Sequence, residues 1–174
     1  MTKVVVVIPT YNEAKNVVPT TQALSKVFKQ CKGYDMHILF VDDNSGSMTV
    51  EQKLLAQRFN TFISSLSDLD WQIGVTTTDV TNDRIYGLKG SILELADSPS
   101  KKILNKSFTK ADQIFKKTIV RQETIDCEMV ATQCPSGNEQ PLYASILAME
   151  KRNAENRGLF RAGADLAIVM LSDE

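Results

Sequence analysis

Runs of consecutive apolar residues alternate along this chain with stretches whose apolar positions recur every three or four residues, the pattern of strands exchanging with helices. Lys3 to Ile8 is an unbroken β-branched run closed by Pro9, which predicts a strand buried on both faces of a parallel sheet. Val17, Ala23, Leu24, Val27 and Phe28 then keep helical spacing between Glu13 and Gln30, with Gly33 as a stop. A second buried strand is expected in MHILFVDD, Met36 to Asp43. After it, Thr49 and Gln52 have the spacing of a capping box, and Leu55, Phe59, Phe62, Ile63 and Leu66 mark the buried face of a helix.

The second half continues the alternation less regularly. Trp71 to Asp79 predicts a third strand, and Arg84 to Leu95 holds two short extended pieces around glycines, an edge strand or hairpin. A helix is expected from Thr109 to about Arg121, with Asp112 in the capping-box position, and another from Pro141 to before Gly158. Asp165 to Ser172 is the last strand. The fold class that follows is α/β: a doubly wound, mostly parallel, Rossmann-like sheet with helices on both faces, and such sheets bind ligands at the carboxyl ends of their strands.

Length and composition narrow the picture modestly. The 174 residues suit a single domain, 1–174, and a net charge of −1 gives no support to nucleic-acid or anionic-membrane partners. The N-terminal apolar run is too short for a signal peptide or a membrane-inserted helix, so the chain as written is expected to stay in the cytoplasm. Cys31, Cys127 and Cys134 lack metal-ligand spacing. Cys127 and Cys134 could close a short loop in an exported chain, but free thiols are the expectation for a reducing compartment.

The chemistry gathers after the second strand. Asp43, Ser45 and Ser47 form a D-x-S-x-S pattern on a turn that Gly46 permits, and one carboxylate with two hydroxyls can present oxygens to a hard cation, Mg2+ or Mn2+. The same residue types also make ordinary turns and caps.

Several ordered segments resemble von Willebrand factor A domains over about residues 36–174: DNSGSMTVEQKLLAQRFNTFISSL, DWQIGVTTTD, SGNEQPLYASILAMEKRNAENRG and ADLAIVMLSDE. The resemblance implies a metal-ion-dependent adhesion site with Asp43, Ser45, Ser47 and Asp173 as ligands and an open position for a carboxylate of a protein partner. The family's loop threonine has no clean counterpart; Ser136, Glu139 and Gln140 occupy that region, and Glu139 is a further candidate metal ligand. Relatives of this type occur in the cell envelope, and they continue past the last metal-site aspartate.

A second resemblance covers about residues 1–45. KVVVVIPTYNEAKNV and ILFVDDNS resemble the opening of family-2 glycosyltransferases, which implies nucleotide or nucleotide-sugar contacts from Pro9, Tyr11, Glu13, Asp42 and Asp43. The family's later D-x-D motif has no convincing counterpart in VMLSDE, so sugar transfer is not expected. Both resemblances share Asp43, Asn44 and Ser45, which suggests a composite domain, natural or engineered: 1–45 transferase-like and 44–174 adhesion-like.

Three functions follow as expectations. The first is a non-catalytic binding module of von Willebrand A type, with a protein ligand on a divalent cation. The second is a nucleotide-binding remnant of a glycosyltransferase, and the third is a recombined scaffold with no selected function. Strand order separates the first two. In an adhesion-type sheet the strand ending at Asp43 adjoins the strand ending near Asp173, whereas in a transferase-type sheet the N-terminal strand lies between them. An intervening strand adds about 4.8 Å, too much for shared ligation at about 2.1 Å per ligand. The cation site therefore requires the N-terminal strand on the outer side of Asp165 to Ser172.

Overall fold

The computed structural model describes residues 7–8, 35–81, 87–130, 134–135 and 138–172. Its five strands are β1 (Val7–Ile8), β2 (Asp35–Asp42), β3 (Asp70–Thr77), β4 (Leu104–Asn105) and β5 (Asp165–Leu171). They form one sheet in the order β1-β5-β2-β3-β4, parallel except for β4, which runs antiparallel to β3. The N-terminal strand thus pairs with β5 on its outer side and leaves β2 and β5 as neighbours. That is the arrangement the cation site requires.

Helices α1 (Thr49–Ser65), α2 (Ala111–Ile119), α3 (Gln122–Met129) and α4 (Pro141–Glu150) complete the described elements, with 3-10 turns at Gly46–Met48 and Lys151–Asn153. Side chains of a strand alternate between faces, and the two cores follow that alternation. Met36, Ile38 and Phe40 of β2 join Trp71, Ile73 and Val75 of β3 under α1 and α2. Phe59 of α1 stacks on Phe115 of α2, with ring centroids 3.6 Å apart, and both are fully buried. On the opposite face Leu39 and Val41 meet Ile168 and Met170 of β5, covered by Ala144, Leu147 and Ala148 of α4 and by Leu159. At Gly74 a Cβ would come within 2.6 Å of Leu159, so the absent side chain is what lets Leu159 settle onto the sheet.

Several local expectations are corrected. Arg84 to Leu95 was expected to give extended pieces; residues 82–86 lie outside the described ones, and the rest makes turns and one isolated bridge, Leu95 to Ser98. The antiparallel edge strand is β4 instead. The segment 91–92 is anchored by buried Asn156, whose Oδ1 accepts from the Ile92 amide at 2.8 Å and whose Nδ2 donates to Gly90 and Ala148 carbonyls. Helix α3 has no counterpart among the expected helices. The capping boxes also fail: neither α1 nor α2 has a side-chain cap hydrogen bond, and Thr49 Oγ1 donates to the Gly46 carbonyl. The helix expected at Glu13 to Gln30 lies outside the described residues.

Cys127 and Cys134 form a disulfide, not the free thiols expected. Among the described residues, no helix is long and apolar enough to cross a membrane.

Candidate functional site

From β2 the chain moves outward to β3 and β4, then returns to place β5 on the other flank of β2. The direction reverses between β2 and β5, and open α/β sheets bind ligands in the crevice at the carboxyl ends of strands flanking such a reversal. Asp43 sits there. Its amide donates to the Leu171 carbonyl at 2.9 Å, and Ser172 Oγ donates to its Oδ2 at 3.1 Å. The Ser45 amide donates to Oδ1 at 2.8 Å, which folds the chain after β2 into a tight turn. The Asp43 side chain is fully buried.

The two serine hydroxyls of the D-x-S-x-S pattern converge. Ser45 Oγ and Ser47 Oγ are 3.0 Å apart, and adjacent oxygens around an octahedral cation with ligands at about 2.1 Å lie about 3.0 Å from each other. The three side chains thus offer one carboxylate, held by two hydrogen bonds, and two hydroxyls in contact with each other. Among the described residues, no three His, Cys, Asp or Glu side chains form a metal-binding group. A cation here would rest on Asp43 and hydroxyls, with Asp173 outside the described residues.

The turn is held from behind by a network that sequence reading missed. Gln52, fully buried in α1, donates through Nε2 to Asp42 Oδ2 at 3.0 Å, to the Asp43 carbonyl at 2.9 Å and to Thr124 Oγ1 at 3.2 Å. Its Oε1 accepts from the Arg121 amide at 3.1 Å. Thr124 in turn donates to the Asn44 carbonyl at 3.1 Å. One side chain thus ties the end of β2, the turn and the α2–α3 junction together. Only its spacing to Thr49 was visible in sequence, and that pointed to a helix cap.

Asp42 closes β2 just before Asp43 and is fully buried. Burial pushes its carboxyl well above the usual range; nearby Arg121 opposes the shift, while Asp43 and Glu123 add to it. Arg121 is itself paired with Glu123. Asp42 Oδ1 is buried without a hydrogen-bond partner, as are Asn44 Nδ2, Thr77 Oγ1, Thr78 Oγ1 and Asp79 Oδ2. Buried polar atoms are nearly always paired by protein, water or ligand, so this edge has unmet hydrogen-bonding capacity. Glu139 is brought to it by an isolated bridge with Asp79, beside the Gln140 amide that donates to the Thr78 carbonyl.

Of the other sequence candidates, Pro9, Tyr11, Glu13 and Ser136 lie outside the described residues. Strand β1, which leads into Pro9, is two strand positions from β2, or about 9.6 Å at 4.8 Å per strand.

The chain matches the family model described as glycosyl transferase family 2 over residues 5–63. The match passes the Asp43-Asn44-Ser45 tripeptide and runs into α1, beyond residue 45, where the resemblance was expected to end. No curated protein and no solved structure matches the chain. The first part of this α/β chain is thus a glycosyltransferase-2-like segment, and Asp42, Asp43, Ser45 and Ser47 all lie within it.

Proposed function

We propose that the carboxyl edge of the sheet is a binding site for a nucleoside diphosphate or nucleotide-sugar, held through a divalent cation at Asp43, Ser45 and Ser47. The observation that carries this reading is the position of Asp43, at the reversal between β2 and β5 and inside the glycosyltransferase-2-like segment. Electrostatics supply the need for the cation. Asp43, Asp79 and Glu139 lie near this edge, while Glu123 is paired with Arg121; a bare diphosphate would meet repulsion from the first three. Mg2+ or Mn2+ would bridge the acidic turn and the phosphate oxygens. Tyr11 and Glu13, outside the described residues, are the further contacts that the family resemblance adds, whereas the position of β1 outside β5 departs from the order expected of a transferase-type sheet. Binding, not sugar transfer, is the function proposed.

A second reading keeps the cation and replaces the nucleotide with a carboxylate of a protein partner, as in von Willebrand A domains. Its support is the strand order, because β1 outside β5 leaves the strands ending at Asp42 and Leu171 adjacent.

Titration calorimetry with UDP and GDP and their sugar conjugates, with and without Mg2+ or Mn2+, tests both readings. The first predicts nucleotide heats that require the cation and vanish in Asp43→Ala. Cation heats lost in Asp43→Ala, with no nucleotide heats, would favour the second. Identical traces for wild type and Asp43→Ala would overturn both and leave a scaffold.

A further inference from the structure

The Cys127–Cys134 disulfide lies against the back of the candidate ligand turn. A Cβ placed on Gly46 would come 2.8 Å from Cys127 Sγ and 3.3 Å from the Glu128 amide nitrogen. Glycine at position 46 thus lets the sulfur touch the backbone between the two candidate serine ligands. Helix α3 is otherwise weakly held: of its residues only Thr124 is buried, and Met129 at its end is 77% exposed. An isolated eight-residue helix does not persist in water, so its attachments decide whether it stays. These are the Thr124 bonds to Asn44 and Gln52, the Arg121–Glu123 pair just before and within its first turn, and the disulfide at its far end.

We propose that the Cys127–Cys134 disulfide is a redox-sensitive clamp that sets the rigidity of the turn Asp43 to Met48. Cys134 is exposed and Cys127 half-buried, so a small dithiol can reach the bond. The exchange is balanced: the dithiol gives two electrons and two protons, the Cys127–Cys134 bond breaks to two thiols, and the dithiol closes its own disulfide. Cys127 then loses its link to Cys134, whose neighbour Pro135 is buried, and the end of α3 that lies against Gly46 frays. The Thr124 bond to the Asn44 carbonyl loosens with it. The turn loses its back wall while the sheet, whose cores involve neither cysteine, stays folded. The consequence for ligand affinity rests on the cation-site reading above; the dependence of the turn on the disulfide does not.

Amide hydrogen exchange reads the turn without any ligand. The Ser45 amide is tied to Asp43 Oδ1 and the Met48 amide to the Ser45 carbonyl, at 2.8 and 3.2 Å. Dithiothreitol treatment, or Cys134→Ser, should speed exchange at both by about tenfold or more, with β2 and β3 amides unchanged. Unchanged exchange at Ser45 and Met48 while residues of α3 speed up would overturn the clamp. Gly46→Ala supplies an independent check on the folded, oxidised protein. It should speed exchange at the turn when the disulfide is intact and add little after reduction; an equal effect in both states would also overturn the proposal.

Discussion

The two ends of β2 are built to opposite standards. At the amino end, His37 Nε2 accepts from the Arg161 amide at 2.7 Å, and the Arg161 guanidinium reaches Asp70 Oδ2 at 2.6 Å and the Asp70 carbonyl at 2.8 Å. Gln72 Oε1 is the one buried unpartnered side-chain atom there among the described residues. At the carboxyl end, Asp42, Asn44, Thr77, Thr78 and Asp79 each keep such an atom. Among the described residues the first end is partly exposed with nearly every buried side-chain atom paired, whereas the second is fully buried and keeps several atoms unpaired. The contrast teaches that polarity alone does not distinguish the two ends; unmet hydrogen-bonding capacity at a topological reversal does.

The carboxyl end can be broken most severely through Gln52. Gln52→Leu would leave Asp42 Oδ2, the Asp43 carbonyl and the Arg121 amide without their partner, and should cost about 3 kcal/mol or more of stability in urea unfolding. A loss below about 1 kcal/mol would mean that this network does not hold the turn.

The amino end should dominate the response to acid. Burial, helped by Arg161, lowers His37 from 6.5 to about 4. The unfolded chain then binds the proton first as pH falls, so stability drops between about pH 6.5 and pH 4, by about 3 kcal/mol at most. His37→Gln should flatten that part of the stability profile. An unchanged slope would move the acid response elsewhere.

A smaller effect is expected from Arg161→Ala. It removes the guanidinium bonds to Asp70 while the position-161 amide can still reach His37, and should cost about 1–2 kcal/mol in the same unfolding assay. Asp42→Asn should have the smallest effect and the opposite sign. The raised carboxyl holds its proton in the folded state, so wild-type stability from this group falls as pH rises above 3.8. At pH 7 the amide variant should equal or exceed wild type, within about 1 kcal/mol; a clear loss would show that Asp42 works as a carboxylate.

What the sequence made legible was decided by local signal. Apolar runs located β2 and β5, and the mixed stretch from Trp71 located β3, each within a residue or two, while the spacing of Phe59 and Leu66 found the buried face of α1. The two-residue β4 was missed because its pairing with Ile73 and Gln72, not its own residues, makes it a strand. Helix α3 was missed because only Thr124 faces the interior, so no apolar stripe marks it. Gln52 was misread for a related reason: its partners Arg121 and Thr124 lie 69 and 72 residues away, and no local spacing reports them. Asp43, Ser45 and Ser47 were legible as a motif; the condition on strand order concerned Asp43 and Asp173, and Asp173 lies outside the described residues, while Asp43 is bonded to Ser172.

The central proposal is that the carboxyl end of the sheet, and not the amino end, takes a ligand. Amide chemical shifts of labelled protein, followed as UDP or GDP is added with Mg2+, test it most directly. The account predicts perturbations at Asp43 to Ser47 and at Thr77 to Asp79, with His37, Asp70 and Arg161 unmoved. Perturbations centred on His37 and Arg161, or none at saturating ligand, would contradict it.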